Sequence, residues 1–139
     1  MVTRTLVSAV VASLFIAGCA SMKPTDFSPR PSAKECNGSG NCTVSVSVVD
    51  LSIKVDPEFV IFNNRRGSSI KIKWEIQTAG YAIDSIEIPD GGGDFAECGP
   101  EGNHFSCKNL HKTFGVFKYT VKVRGQPPVP PKDPWMVND

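Results

Sequence analysis

The sequence has little of what nucleic-acid binders and helical proteins need. Its formal net charge is only +1, whereas a nucleic-acid-binding domain shows a basic excess, so nucleic acid is not expected as a partner. No window keeps helical spacing of apolar residues. Eleven prolines and twelve glycines favour turn-rich β structure instead.

Catalytic motifs are also missing. The chain has two histidines, no nucleophile-elbow sequence, no His-Glu-x-x-His and no phosphate-binding glycine loop. We therefore expect a protein that is not an enzyme and that needs no cofactor. The glycine-rich run at residues 90–94 has two carboxylates, too few side-chain ligands for calcium, and is interpreted as a flexible loop.

The longest hydrophobic run is too short to cross a bilayer. Residues 6–16 form a mostly apolar run of eleven, and a spanning helix needs about twenty. Arg4 precedes the run, and the small residues Ala17 and Gly18 follow it. A charged start, a short apolar core and small residues at its end are typical of a secretory signal peptide. A buried helix of the folded domain is the alternative.

The end of this segment is more specific. Ile16-Ala17-Gly18-Cys19 resembles the lipobox of bacterial lipoproteins. The resemblance implies cleavage between Gly18 and Cys19, a diacylglyceryl group on the Cys19 sulfur, and acylation of the new amine, for example with palmitate. Ala20 follows Cys19 where Asp would favour the inner membrane. The resemblance therefore favours a lipid anchor in the outer membrane of the bacterial cell envelope, with the protein facing the periplasm or the cell surface.

We predict four parts of the chain. They are a signal peptide at 1–18, a lipidated cysteine and flexible linker at 19–35, a β-sandwich domain at 36–124, and a Pro-rich tail at 125–139. As a flexible coil, the linker would reach about 20–24 Å. An ordered N-terminal arm docked through Phe27 is the alternative for the linker. For the tail, Trp135 either pins it to the domain or contacts a partner.

The cysteine count indicates an oxidising compartment. With Cys19 lipidated, four cysteines remain, and an even count in an exported chain favours disulfides. We favour Cys36–Cys42 and Cys98–Cys107, because each pair brackets a turn-like segment; the crossed pairings stay open. We expect no bound metal. A zinc or copper site at His104, Cys107 and His111 is the alternative.

Alternation at period two dominates the rest of the chain and is typical of half-buried strands. We predict strands at 43–49, 69–76, 82–88, 105–107 and 117–124. A further strand comprises residue 55 and residues 59–62 and is interrupted by Asp56-Pro57, and a long loop is predicted at 89–104. The predicted fold class is all-β, a small antiparallel β-sandwich, Ig-like or cupredoxin-like, with two disulfides.

Two segments carry a second resemblance. Residues 56–60 followed by Gly67 and 70–74, together with residues 115–121, are similar to strands of cupredoxin-like domains. That family's copper site needs two His and a Cys, usually with an axial Met. This chain has no His before His104 and no Met after Cys107 until Met136, so the family's electron-transfer role is not carried over.

These features predict an outer-membrane-anchored lipoprotein that acts as a non-catalytic binding or structural module in the envelope. Its expected partners are the membrane, through the lipid anchor, and an unidentified envelope protein or glycan. The alternatives are an envelope inhibitor of a lysozyme or protease, with 98–107 as its inserted loop, and a copper- or zinc-binding periplasmic protein. Residues 89–113 and the tail are the predicted contact surfaces.

A basic platform is a further hypothesis. It depends on neighbouring strands bringing five cations to one sheet face: Lys71, Lys73, Lys118, Lys122 and Arg124.

Overall fold

A computed structural model describes residues 32–37, 40–63 and 65–139 of this protein. The predicted signal peptide, Gly18, Cys19 and Phe27 lie outside the described residues. Within the described part the chain forms strands and no helix, which confirms the all-β prediction. The strands are β1 (Ala33–Cys36), β2 (Asn41–Val49), β3 (Ser52–Asp56), β4 (Phe59–Phe62), β5 (Ile70–Ile76), β6 (Tyr81–Glu87), β7 (Phe95–Glu101), β8 (His104–Asn109), β9 (Gly115–Lys118), β10 (Thr120–Gly125) and β11 (Trp135–Asn138).

The larger sheet has five strands in the order β3-β2-β5-β8-β7. Its inner face follows the period-two pattern, with Val44 and Val46 of β2 and Ile72 and Trp74 of β5 fully buried. The outer face of the same strands carries polar and charged side chains, as in a sheet that is covered on one side only.

The second sheet has four strands in the order β1-β4-β11-β9. It contains the first and the last described strands, and β11 lies in its interior between β4 and β9. A separate pair, β6 with β10, completes the architecture. The sheets are mixed, because β1 and β11 run parallel to β4, and β2 runs parallel to β5. The predicted antiparallel pairing therefore holds for most strand pairs but not for these three.

One hydrophobic core lies between these sheets. Trp74 of β5 packs against Tyr119, which links β9 to β10, at a ring-centroid distance of 5.6 Å. Val60 and Met136 of the four-stranded sheet are also fully buried. Burial raises the pKa of the Tyr119 hydroxyl far above its ordinary value. The sandwich-like fold expected from the sequence is thus present, with the core on the predicted face of β5.

Several predicted segments have different boundaries. The predicted strand at 55 and 59–62 is two strands, β3 and β4, which belong to different sheets and meet at the cis peptide Asp56–Pro57. The predicted strand at 117–124 is likewise two strands, divided at Tyr119. Between β9 and β10 the period-two pattern continues through Phe117, Tyr119 and Val121, so it does not mark the change of sheet. Between β3 and β4 the buried positions change phase, but the uninterrupted apolar run at 59–62 conceals this in the sequence.

The long loop predicted at 89–104 is wrong over 95–101, which form β7 at the edge of the five-stranded sheet. The strand is hidden in the sequence because Gly99 and Pro100 lie inside it and a bulge separates Ala96 from Gly99. Pro100 is tolerated because β7 is an edge strand, where one row of N–H groups faces solvent.

Strands also form where a linker and a tail were predicted. β1 begins within the predicted linker at 19–35 and ends one residue beyond it, and β11 lies within the predicted tail at 125–139. Met136, and not Trp135, is the apolar residue that packs β11 into the core, since Trp135 is 37% exposed and Met136 is fully buried. Four-residue strands such as these give too short a pattern to be recognised from the sequence.

Candidate interaction surface

Both disulfides favoured by the sequence are present. Cys36 is bonded to Cys42, which links the end of β1 to the start of β2. Cys98 is bonded to Cys107 and joins the adjacent strands β7 and β8. The first bond therefore connects the two large sheets covalently, and the second fixes an edge strand to its neighbour.

The alternative metal ligands are not brought together. Cys107 is committed to its disulfide, His104 lies beside the Glu101 carboxylate, and His111 is fully buried. Over the described ranges, no three His, Cys, Asp or Glu side chains are placed to hold a metal ion. The set His104, Cys107 and His111 is therefore wrong as a ligand set, because a disulfide sulfur is not a thiolate.

The basic platform is also wrong. Its five cations lie on three different sheets, since Lys71 and Lys73 belong to β5, Lys118 to β9, and Lys122 and Arg124 to β10. Four of them have acidic partners: Lys71 with Glu101, Lys73 with Glu75, Lys118 with Asp133 and Lys122 with Glu87. Alternation identified correctly that these side chains point away from the core, but it carried no information on which strands are neighbours.

A polar groove of about 420 Å³ lies on the outer side of the five-stranded sheet. Lys71, Glu101, Ser106, Lys108 and Glu97 are among its lining residues. Hydrogen bonds from Lys71 and Ser106 lower the pKa of the Glu101 carboxyl to about 2. Lys108 faces Glu97 at 3.5 Å. The charges of this groove are thus paired among themselves, and it presents no uncompensated charge to a ligand.

The 98–107 segment does not form a protruding loop. β7 and β8 make a hairpin whose turn is Gly102-Asn103, with Gly102 at φ +65°. A side chain other than glycine is strained in that region. The insertion loop that the inhibitor hypothesis needs is therefore replaced by a disulfide-linked hairpin that lies in the sheet.

A buried polar cluster connects the glycine-rich loop to the last strand. Asp94 is 4% exposed and accepts hydrogen bonds from the N–H groups of Lys112 and Thr113 and from the Thr113 hydroxyl. Asn109 donates to Asn138 of β11 at 2.7 Å, and Asn138 donates to the Thr113 carbonyl at 3.1 Å. Burial opposes ionisation of Asp94, but the hydrogen bonds from Thr113 and Lys112 outweigh it and lower the Asp94 pKa. This carboxylate therefore has a structural role, and the loop at 90–94 is ordered around it.

The four-stranded sheet has an unusual outer face. Inner positions alternate with outer ones along each strand, and Val60, Phe62, Met136 and Phe117 take the inner positions. The outer positions of β4 and β11, and Val116 of β9, are nevertheless also apolar. We call these residues the apolar face: Phe59, Ile61, Trp135, Val137 and Val116.

Strand register places the apolar face in two rows. One row runs Ala33, Phe59, Trp135, Lys118 across the four strands. The next row runs Glu35, Ile61, Val137, Val116. Side chains opposite one another on adjacent strands lie within contact distance, so the five apolar members form one continuous patch.

Among the described residues, those of the apolar face are partly or largely exposed. Val116 is 61% exposed and Trp135 is 37% exposed, while Phe59, Ile61 and Val137 are partly exposed. Lys118 lies over the Trp135 ring, with its Nζ atom 6.0 Å from the ring centroid. A continuous exposed apolar patch bordered by charge is a candidate interaction surface. Sequence reasoning offered the tail and its Trp135 as contacts for a partner but missed the contribution of β4, because 59–62 was interpreted as part of a half-buried strand. The uninterrupted apolar run at 59–62 was the available signal.

Comparison with known protein families finds no family that matches this chain, and comparison with curated proteins finds no match. In the part of the chain that the structure describes, no helix has the length and apolar character needed to cross a membrane.

Proposed function

We propose that this protein is a lipid-anchored lipoprotein of the bacterial envelope whose sandwich domain acts as a non-catalytic binding or structural module. The observation that carries the binding role is the apolar face, a continuous exposed patch on a domain stabilised by two disulfides. A face of this kind is costly to leave in water, and contact with a partner removes that cost.

The anchor is proposed from the sequence. Ile16-Ala17-Gly18-Cys19 resembles a lipobox, and Ala20 after Cys19 favours the outer membrane. Two or more acyl chains on Cys19 hold a protein stably at a bilayer, whereas one chain binds only marginally. The paired cysteines of the domain agree with export, because disulfides persist outside the reducing cytosol.

The anchor is tested by replacing its cysteine. Cys19→Ala is expected to abolish palmitate labelling and to release the protein from the membrane fraction. Ser21→Ala, two residues away, is the matched control and should label and fractionate like the wild type. Equal labelling of the wild type and Cys19→Ala would refute the anchor.

The binding role is tested by photocrosslinking in intact envelopes. A photoreactive residue at Val116, on the apolar face, should give an adduct whose mass identifies an envelope component. The same residue at Ser45, on the outer side of the five-stranded sheet, is the control and should not give that adduct. Identical adduct patterns from the two positions would contradict a specific surface.

A further inference from the structure

The apolar face is too small to hold a partner by itself. Three strands spaced about 4.8 Å apart, each contributing four residues of about 3.3 Å, give a footprint of roughly 190 Å². A stable protein–protein interface needs about 800 Å² from each partner. The patch therefore suits a contact that is assisted by a second attachment.

The position of the patch indicates what that second attachment is. Ala33 begins β1 and lies in the same row as Phe59 and Trp135. Fourteen peptide links separate Ala33 from Cys19, and even a fully extended chain of this length spans at most about 50 Å. Acyl chains on Cys19 would therefore keep Ala33 within about 50 Å of the bilayer, a distance from which the row of Phe59 and Trp135 can reach the lipid.

The chemistry of that row suits the boundary between lipid and water. Trp135 presents a partly exposed ring, and Lys118 lies over it with its ammonium 6.0 Å from the ring centroid. Tryptophan is enriched at membrane interfaces because its ring is apolar while its N–H remains hydrated. Lysine keeps its charged end in water while its stem covers apolar surface.

We infer that the apolar face of the four-stranded sheet lies against the lipid bilayer in which Cys19 is anchored. The inference rests on the proposed lipid anchor. The anchor makes docking effectively intramolecular, so a weak contact with lipid is enough to orient the domain. The polar outer side of the five-stranded sheet then faces away from the membrane.

Tryptophan fluorescence tests this arrangement directly, because the chain has two tryptophans and only one is exposed. Trp74 is fully buried in the core, whereas Trp135 is on the apolar face. The lipidated full-length product is purified from membranes and reconstituted into phosphatidylcholine vesicles with or without bromine on the acyl chains. Bromine should reduce the emission by up to about half, since an interfacial Trp135 is within its reach and Trp74 is not. Trp135→Phe should remove this loss.

A matched pair of charge variants locates the contact. Val116→Asp adds a short carboxylate to the apolar face at a position that is already 61% exposed, so the fold should tolerate it. Unlike lysine, aspartate has no long stem that could keep its charge in water, so we expect this variant to reduce quenching by brominated lipid strongly while palmitate labelling is retained. Val49→Asp, at the 47% exposed end of β2, is the control and should keep the quenching.

Each other occupant of the face gives a different result. Emission that is insensitive to brominated lipid in a lipidated protein would overturn the inference while leaving the anchor intact. In detergent, contact with a second copy of the chain would weaken acrylamide quenching of Trp135, and this protection would increase with protein concentration. That result would assign the apolar face to the second copy and overturn the inference. A crosslinked protein at position 116 in intact envelopes would assign the apolar face to a protein partner and would also overturn the inference.

Two further results complete the test. The first concerns protection of Trp135 from acrylamide in detergent. Protection that does not depend on protein concentration, and that is lost when residues 20–31 are deleted, would assign the apolar face to that segment and overturn the inference. A mature chain whose mass shows no lipid on Cys19 would refute the proposed function, and the inference with it. The mass therefore distinguishes failure of the anchor from failure of the docking.

Discussion

Asp94 should stabilise the protein through its ionised form. Its Oδ1 atom accepts the N–H of Thr113 at 3.0 Å and the N–H of Lys112, and its Oδ2 atom accepts the Thr113 hydroxyl. Asp94→Asn keeps the shape of the side chain and removes the charge. Asp90→Asn, an exposed position in the same loop, is the matched control.

The magnitude follows from these three hydrogen bonds. A hydrogen bond to a charged group contributes about 1.5–3 kcal/mol, and one between neutral groups about 1 kcal/mol. Replacing three charged bonds by neutral ones therefore loses about 3 kcal/mol, and the lower desolvation cost of the neutral amide offsets part of this. We expect Asp94→Asn to reduce the free energy of unfolding by about 2 kcal/mol, which corresponds to a fall in Tm of roughly 8–16 °C for a domain of this size. Asp90→Asn should change it by less than about 0.5 kcal/mol.

The pH dependence gives the decisive measurement. The Asp94 pKa is below its ordinary value of 3.8 in the folded protein, so its stabilisation is complete above that value and is lost as pH falls through the folded pKa. Chemical denaturation should therefore show that the free energy of unfolding differs between wild type and Asp94→Asn by a constant amount from pH 5 upward. This difference should become smaller below about pH 4. A difference under about 0.5 kcal/mol at pH 7, or one that does not change in acid, would refute the role assigned to this carboxylate.

Three other predictions follow from burial, ion pairing and backbone conformation. Met136→Ala should lower the free energy of unfolding by about 2–4 kcal/mol in thermal or chemical denaturation, because Met136 is fully buried; a cost under about 1 kcal/mol would contradict the core position of β11. The Glu101 carboxyl should titrate at about pH 2 by NMR, and Lys71→Met should raise its pKa because Lys71 is the main cause of the shift; an unchanged pKa would refute this. Leu51→Gly should stabilise the fold by up to about 1 kcal/mol, since Leu51 has φ +58°, and a loss of stability would show that the exposed side chain matters more than the strain.

Periodicity predicted much of the fold because one face of each long strand packs on the core. The alternation around Trp74 and that of residues 43–49 gave the buried faces of β5 and β2 correctly. Alternation cannot show where a chain leaves one sheet and enters another, which is why β3 was joined to β4 and β9 to β10. β7 was missed because a bulge, a glycine and a proline interrupt it.

The disulfides and the candidate surface differ in how far the sequence revealed them. Each disulfide closes a short loop, with sequence separations of 6 and 9, so local spacing was sufficient to favour the correct pairs. The apolar face is built from β4, β9 and β11, which are remote in the sequence and adjacent only in the folded sheet. No local pattern relates Phe59 to Trp135, and so the surface could not be predicted.

The sequence by itself determined that this protein is all-β and which positions of its long strands are buried, because these properties depend on alternation. It also favoured the two disulfides that form, because each closes a short loop, although only the structure excluded the crossed pairings. The tertiary structure alone decided the order of the strands, the interior position of β11 and the distribution of the cations over three sheets. It also decided that both faces of the four-stranded sheet are apolar where β4, β11 and β9 meet. The reason is that strand neighbours are chosen by packing between distant segments, which leaves no mark on the residues adjacent in the chain.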